Sequence, residues 1–464
     1  MKYFFFVFIC FCTITPLAFS AYNKEKAGHI HTSDVIIINA KNMIPHLQSV
    51  LRIARFNNLS VSIKGSEHTQ GGHTLTHSAL QIDLSKCTKI QQRSKDTIRV
   101  QAGATWRDVL EYLHPKGLSV SVMQSDFDFS IGGTISTNVH GWQLNKPPIV
   151  ATVEGLHLML ADSSIVYCSR TLNPELFSAV IGGYGLLGII LDVDLQAPTN
   201  KVYKMERWVG ETKKFKTNFC NIRNDKTARM FFGRFNLDED SFLNQIALIT
   251  YNETSKPVSN KPLKLYPTLE RLTNWIFKKT YNNNICRKLR WMLETGQTVT
   301  WFTHTLMRNE LLYHSVNNYL THDFNTVDIL QEYFIPVENF EKFVSVLQSL
   351  KTELMPHLMN ITLRQVNADT QSVLTYAPTE RLCFVMYFRG EKTKAFETIL
   401  EQLSVKLTSH ALALNGTYYL PYRPYQTLDQ FRLAYPGYIK FKNTKQKYDP
   451  NTVFNNEFYK NYLK

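Results

Sequence analysis

The chain has 464 residues, a formal charge of +14 and 44% hydrophobic residues. That length exceeds the roughly 250–300 residues at which one hydrophobic core stops growing, so two domains are expected. The basic residues are spread, with modest clusters at Lys213–Lys216 and Lys440–Lys447, and no nucleic-acid recognition motif accompanies them; loose attraction to an anionic membrane surface is the partner class the charge leaves open.

The first twenty residues, MKYFFFVFICFCTITPLAFS, join one Lys to a short apolar run, Pro16 and a small-x-small ending at Ala18 and Ser20. This is a secretory signal pattern with cleavage expected after Ser20, which implies an exported protein, periplasmic or secreted. An uncleaved anchor is the alternative, against which the run is short and interrupted. Five cysteines follow it, Cys87, Cys168, Cys220, Cys286 and Cys383. They are isolated and odd in number, which excludes a small-domain disulfide framework, and no CxxC or HExxH offers a metal site.

In chain order, Asp34–Ala40 reads as a strand, 43–58 as an amphipathic helix and Leu59–Gly65 as a strand that enters a loop. Leu80–Ser85 and Thr97–Ala104 are further strands. Thr105–Gly117 is a helix closed by Pro115 and Gly117, and Leu118–Met123 is a strand. A boundary is expected near Gln196–Met205. Beyond it, 208–219, 229–236 and 382–390 are strand candidates and Val337–Leu358 an amphipathic helix. Within the Lys- and Asn-rich stretch 255–300, Leu272–Thr280 reads as a core-packing helix, with a membrane-facing patch as the alternative.

Two glycine-dense turns lie about fifty residues apart, IGGTISTNVHG (Ile131–Gly141) and IGGYGLLGII (Ile181–Ile190), and a third loop, KGSEHTQGGHT, spans Lys64–Thr74. Glycine lets the backbone lie against a ligand, and the N–H groups of such turns suit phosphate oxygens. The order of these segments resembles the flavoprotein superfamily of vanillyl-alcohol oxidase and p-cresol methylhydroxylase, and within it the branch of aldonolactone, alditol and decaprenylphosphoryl-ribose oxidases. The similarity is densest over 35–198 and returns in KFKNTKQKYDPNTVF (440–454). The resemblance implies an α+β fold: a PCMH-type FAD-binding domain of two subdomains at 27–200, a second α+β substrate domain on an antiparallel sheet at 201–410, and a C-terminal segment, 411–464, that returns to the FAD domain.

It also implies FAD as cofactor, with Lys64, Gly65, Ser66, Glu67, His68 and Thr69 wrapping pyrophosphate and ring. His68 fits the His of a G-x-x-H-[ST] pattern that is covalently bound to the flavin in many relatives; hydrogen bonding alone is the alternative. Gln124, Ser125, Gly132, Gly133, Thr134 and Ser136 fall on the phosphate shell, with Ser136 opening a helical turn toward His140 and Gly141. Gly188, Ile189 and Ile190 fall on the turn and strand whose backbone meets adenine. On the substrate side, Glu332 matches the acid of an E-Y-x-[VI]-P strand and Arg364 the Arg of an E-[IV]-R strand. Thr362 stands where that motif has Glu. Tyr419 matches a pocket aromatic, and the expected Lys is absent, with Tyr422 at its place and Arg423 beside it. The implied activity is oxidation of a CH–OH group of a sugar, aldonolactone or polyol, with oxygen or another acceptor taking the electrons. The alternatives are a dehydrogenase of a polyprenyl-phosphate-linked sugar and a flavin-binding protein without turnover.

Overall fold

The computed structural model describes residues 43–76, 79–259, 261–264, 275–296, 305–316 and 325–464, together with the backbone of strands Tyr22–Lys24, His31–Ser33 and Val35–Asn39. The signal segment, 1–20, lies outside the described residues. Among the described residues, no helix is long and apolar enough to cross a membrane.

The N-terminal half holds two small sheets. Val35–Asn39 and Ser60–Lys64 flank Ala79–Asp83 in parallel. The helix Met43–Phe56 links the first two and buries Leu47, Val50, Leu51 and Ala54, an i, i+3, i+4, i+7 stripe. The second sheet is antiparallel, in the order Ile90–Ser94, Thr97–Gln101, Ile189–Gln196, Val153–Met159, Ile165–Ser169. This is the two-subdomain α+β architecture expected.

The other half is an eight-stranded antiparallel sheet. Its order is Thr305–Met307, Val202–Glu211, Gln245–Glu253, Ala228–Phe235, Leu358–Val366, Arg381–Glu391, Thr326–Pro336, Thr417–Tyr418. Side chains alternate between its faces. Phe235, Phe384 and Tyr333 go to one face, where Phe340 and Phe343 of the helix Phe340–Ser349 pack on them. Glu332, Cys383 and Val385 go to the other face, which meets the FAD-type half.

Three expected elements end differently. Leu118–Met123 alternates apolar residues with Ser119 and Ser121 and is buried from Ser119 onward, but it forms only a single bridge, Leu118 to Thr199. Its neighbour Pro198 accepts from Ser119 N (2.8 Å) and has no N–H to return, so the ladder stops. The strand predicted over 208–219 ends at Glu211; from Phe215 a helix begins, because Phe215 and Phe219 are one turn apart and stack at 5.1 Å. The long helix expected from Val337 gives way to the strand Leu358–Val366 at its C-terminal end. Of the stretch 272–280, residues 275–279 are helical and the first three lie outside the described residues.

The C-terminal segment returns to the first sheet. Val61 N donates to Val453 O (2.6 Å) and Asn455 N to Val61 O (3.0 Å). This return is pinned by Lys445 and Asp449, a pair buried to 3% and 1% exposure. Lys445 Nζ also donates to Phe454 O (2.8 Å), and the Asp449 carboxylate accepts from Val453 N and Phe454 N, each at 2.8 Å. Removing one partner strands the other charge in the core. Asp449→Ala should therefore lower stability by about 3–5 kcal/mol, read as a shift in the urea midpoint at unchanged slope; a shift near zero would mean that the segment is held elsewhere.

Candidate functional site

A cavity lies between the FAD-type half and the inner face of the large sheet. The Lys64–Thr74 loop forms one wall. Ser66 N donates to Ser130 Oγ (3.3 Å), and a Cβ on Gly65 would come within 2.1 Å of that oxygen, so only glycine lets the loop pass so close. Glu67 holds a positive φ of 57° and pairs with Lys64 at 3.3 Å. Gln70 at the loop's end is buried and bridges outward. Its N–H donates to Pro421 O (2.8 Å), its Nε2 to Asp328 O (3.1 Å), and its Oε1 accepts from Leu330 N (2.9 Å). The His68 ring lies 4.3 Å from the Phe129 ring, and both line the cavity.

The second wall is 124–140. The helix here is Ile131–Ser136, so the helical turn expected to open at Ser136 instead closes there. Gly132 N donates to Ala102 O (2.8 Å), and a Cβ on Gly132 would approach the Ala102 Cβ to 2.9 Å. The third wall is the turn Tyr184–Ile190, where Tyr184, Gly185 and Gly188 all have positive φ.

Lys64, Gly65, Ser66, Glu67, His68, Thr69, Gln124, Ser125, Gly132, Gly133, Thr134, Ser136, His140, Gly188 and Ile190 all line this cavity, and so do Glu332, Arg364 and Tyr419. Three expected residues do not. Gly141 packs instead under Met123, whose carbonyl oxygen would sit 2.0 Å from an added Cβ. Ile189 alternates away from Ile190 along its strand and is buried in the core. Arg423, expected among the reacting groups, is turned outward: its Nε donates to Glu397 Oε1 (3.0 Å) and an Nη to Gln70 O (2.8 Å). The wall position falls to Tyr422, which sequence reasoning noticed but did not choose. The signal was available, since Tyr422 and not Arg423 stands at the place of the family Lys.

At the base of the cavity the Glu332 carboxylate, 4% exposed, is held by three groups. His140 Nε2 lies 2.6 Å from Oε2, the Tyr422 hydroxyl donates to Oε1 at 2.5 Å, and Cys383 Sγ–H donates to Oε2 at 3.1 Å. Burial opposes the charge of Glu332. The adjacent His140 imidazole, with Arg364 and Tyr422, outweighs burial and holds the carboxyl down at about 2. Burial first, then the Glu332 charge, push the Cys383 thiol and Tyr422 phenol well above their ordinary values, so both keep the protons they donate. Arg364 comes from the strand two over from Glu332, opposite Cys383 in register, and donates to Ser125 Oγ at 2.7 Å. Tyr419 is fixed at both ends: its N–H donates to Glu332 O (3.0 Å) and its hydroxyl to Thr137 O (3.0 Å). Thr362 does not line the cavity; its hydroxyl accepts from Asn360 Nδ2 (2.8 Å) and from Arg234.

The lining suits a large polar ligand. Glu67 Oε1, Thr74 Oγ1, Gln124 Oε1 and His140 Nδ1 are buried cavity-lining atoms with no hydrogen-bond partner in the protein, and buried polar atoms are rarely left so. The glycine cradle at Gly65 and Gly132–Gly133 leaves the space a side chain would fill. A family model described as an FAD binding domain matches residues 42–169. The chain carries a PCMH-type FAD-binding domain, and FAD is its cofactor.

Relatives of this FAD-binding domain include L-gulonolactone oxidase of Mus musculus, 29% identical over 33% of this chain and 35% of the relative. D-arabinono-1,4-lactone oxidase of Yarrowia lipolytica is 30% identical over 33% of this chain and 30% of its own. Cytokinin dehydrogenase 2 of Arabidopsis thaliana is 32% identical over 28% and 26%. The chain thus spans about a third of the length of the curated relatives it matches. A solved structure titled solvent-stable cholesterol oxidase superposes with a TM-score of 0.72 at 15% identity, covering 95% of this chain and 96% of that one, which shows the fold across both halves.

Arg423 and its neighbour Tyr422 should separate cleanly. Arg423→Ala frees Gln70 O and loosens the Lys64–Thr74 loop, so it should lower FAD retention on gel filtration while the loaded fraction is reduced at the unmodified rate. Tyr422→Phe removes one hydrogen bond from Glu332 and should leave FAD retention intact while slowing reduction. The reverse pattern would place Arg423, not Tyr422, at the reacting atoms.

Proposed function

We propose that this protein is an FAD-dependent oxidoreductase that oxidises a CH–OH group of a sugar, aldonolactone or polyol. The observation that carries this reading is the buried His140–Glu332–Tyr422 cluster, with Arg364, on the sheet face opposite the FAD-binding loops. Two lactone oxidases among the relatives of its FAD-binding domain support the substrate class.

FAD, when bound by the loops of the first half, supplies a hydride acceptor. The chain's own residues would hold the alcohol beneath it. An ionised Glu332 accepts a hydrogen bond from the substrate hydroxyl and fixes its orientation. A carboxyl held at about 2 keeps a proton poorly, so Glu332 orients the hydroxyl and passes its proton on to water as the hydride leaves the carbon. The fixed positive charge of Arg364 stabilises negative charge developing on the substrate oxygen. Tyr422 and His140 keep the carboxylate in place, and Tyr419 forms an aromatic wall beside it.

Glu332→Gln and Arg364→Ala should each slow anaerobic flavin reduction by about 10²-fold or more, at full FAD occupancy and with a panel of aldonolactones, sugars and polyols. Unmodified rates in both variants would move the reacting atoms elsewhere. The pH dependence has a defined sign. Because the folded Glu332 carboxyl lies below its ordinary value of 4.5, the charge persists from neutral pH downward and is lost only as pH falls toward 2. The reduction rate should therefore show no loss attributable to Glu332 between roughly pH 5 and 8, and an acidic limb centred above 5 would contradict the assignment. Oxygen uptake with peroxide release distinguishes an oxidase from a dehydrogenase, both of which occur among the relatives.

His68 is the residue proposed to carry the flavin covalently, on the loop pattern and its place in the cavity wall. Acid-precipitated protein should stay yellow, and His68→Ala should release its FAD; complete release from the unmodified protein would rule the link out. Export belongs to the same reading and rests on residues 1–20. Mature protein should begin at Ala21.

A further inference from the structure

A second cavity, of about 640 Å³, lies at the junction of the two halves and shares no lining residue with the first. It is bounded by Leu144–Lys146 and Pro198–Tyr203 on one side and by 223–229, Glu253 and Arg308 on the other. Six cationic side chains line it, Lys146, Lys201, Arg223, Lys226, Arg229 and Arg308, against two carboxylates, Asp225 and Glu253.

Those carboxylates are already committed. Glu253 serves two cations, Lys201 at 3.1 Å and Arg229 at 2.8 Å. Asp225 is used by neutral groups, accepting from Thr227 N (2.8 Å), the Thr227 hydroxyl (2.7 Å) and Asn252 Nδ2 (3.0 Å). Arg223 turns to Glu380 outside the cavity at 2.8 Å. Lys146, Lys226 and Arg308 have no carboxylate within 4 Å among the described residues. Arg308 donates to Ser121 O (2.5 Å), yet its Nε is buried without a hydrogen-bond partner. The like charges are felt: desolvation first, then Arg308 and Arg229, lower the Lys146 ammonium from its ordinary value.

Six cations against two committed carboxylates leave donors for an anion to satisfy. The volume falls in the range of small-molecule sites. We propose that this junction cavity binds a phosphate group, carried by a small soluble molecule or by a lipid headgroup, with Lys146, Lys226 and Arg308 as its donors. The phosphate-bearing ligand is distinct from the flavin, whose cavity lies on other residues.

The test uses protein loaded with FAD, so that the flavin's own phosphate sites are filled. Calorimetric titration with inorganic pyrophosphate at fixed ionic strength should give one saturable site. Flotation with vesicles of phosphatidic acid in phosphatidylcholine forms the second arm. Binding in either arm should weaken about tenfold or more in Lys146→Gln/Lys226→Gln, and in Lys226→Gln alone should the double variant fail to fold. It should be unchanged in Lys86→Gln/Lys89→Gln, which alters exposed lysines elsewhere. Loss from the pyrophosphate arm assigns a soluble ligand, and loss from the vesicle arm alone assigns a lipid headgroup. No saturable binding in either arm, or binding that the junction variants leave unaltered, overturns the proposal.

Discussion

A charged carboxylate taken out of water must be surrounded, and the fold is arranged around that requirement at Glu332. Its partners come from three separated stretches of chain: His140 from the FAD-binding half, Cys383 from the adjacent strand and Tyr422 from the C-terminal segment. None of these partners is near Glu332 in sequence. Buried in the fold, the carboxylate is therefore held charged by groups that both halves and the returning segment supply. The same contacts align this face of the large sheet with the loops that line the cavity.

The seam between the halves is stitched by polar groups with little freedom. Gln70 bonds the strand Thr326–Pro336 from the flavin loop, and Tyr419 bonds it from the C-terminal side while reaching Thr137. Asn138 contributes a further tie through Asp369 (2.9 Å) and Ser372 (3.1 Å). Buried, satisfied hydrogen bonds of this kind fix relative position more strictly than apolar contact does, because each has a narrow geometry. A cavity built across a seam needs that strictness, since His140 and Glu332 belong to different halves. The same junction, on its outer side, leaves cations facing one another across a cavity. Electrostatic surplus there and electrostatic balance at Glu332 are two products of one interface.

Replacement of a family Lys by Tyr422 changes the character of the pocket. A Lys would add a second positive charge beside Arg364. Tyr422 instead donates a neutral hydrogen bond to Glu332, and its raised phenol pKa keeps it a donor across the physiological range. Arg364 is thus the cationic side chain that the lining places near Glu332. Thr362, which stands for a second family carboxylate, is drawn off by Asn360 and Arg234 and leaves the lining.

The sequence by itself determined the α+β class, the FAD-binding loops and most of the lining. Glycines at Gly65, Gly132, Gly133 and Gly188 and the His68 and His140 positions are local signals, set by backbone freedom and fixed spacing within one loop. The apolar run 382–390 likewise marked a strand, and the strand is buried on both faces from Leu382 to Met386. Local pattern misled where a distant partner decided the outcome. Leu118–Met123 alternates like a strand in sequence, yet Pro198 denies it a ladder, and the strand expected over 208–219 stops at Glu211 and a helix follows from Phe215, where Phe215 stacks on Phe219 and Phe340. The choice between Tyr422 and Arg423 was of the same kind, for adjacent residues point opposite ways and only the packing of Glu397 and Gln70 around Arg423 fixes which one faces inward. Pairing of Cys383 with Arg364 and the approach of His140 to Glu332 depend on strand register and on the docking of the two halves. Those are long-range facts, and they come into being only when the chain is folded.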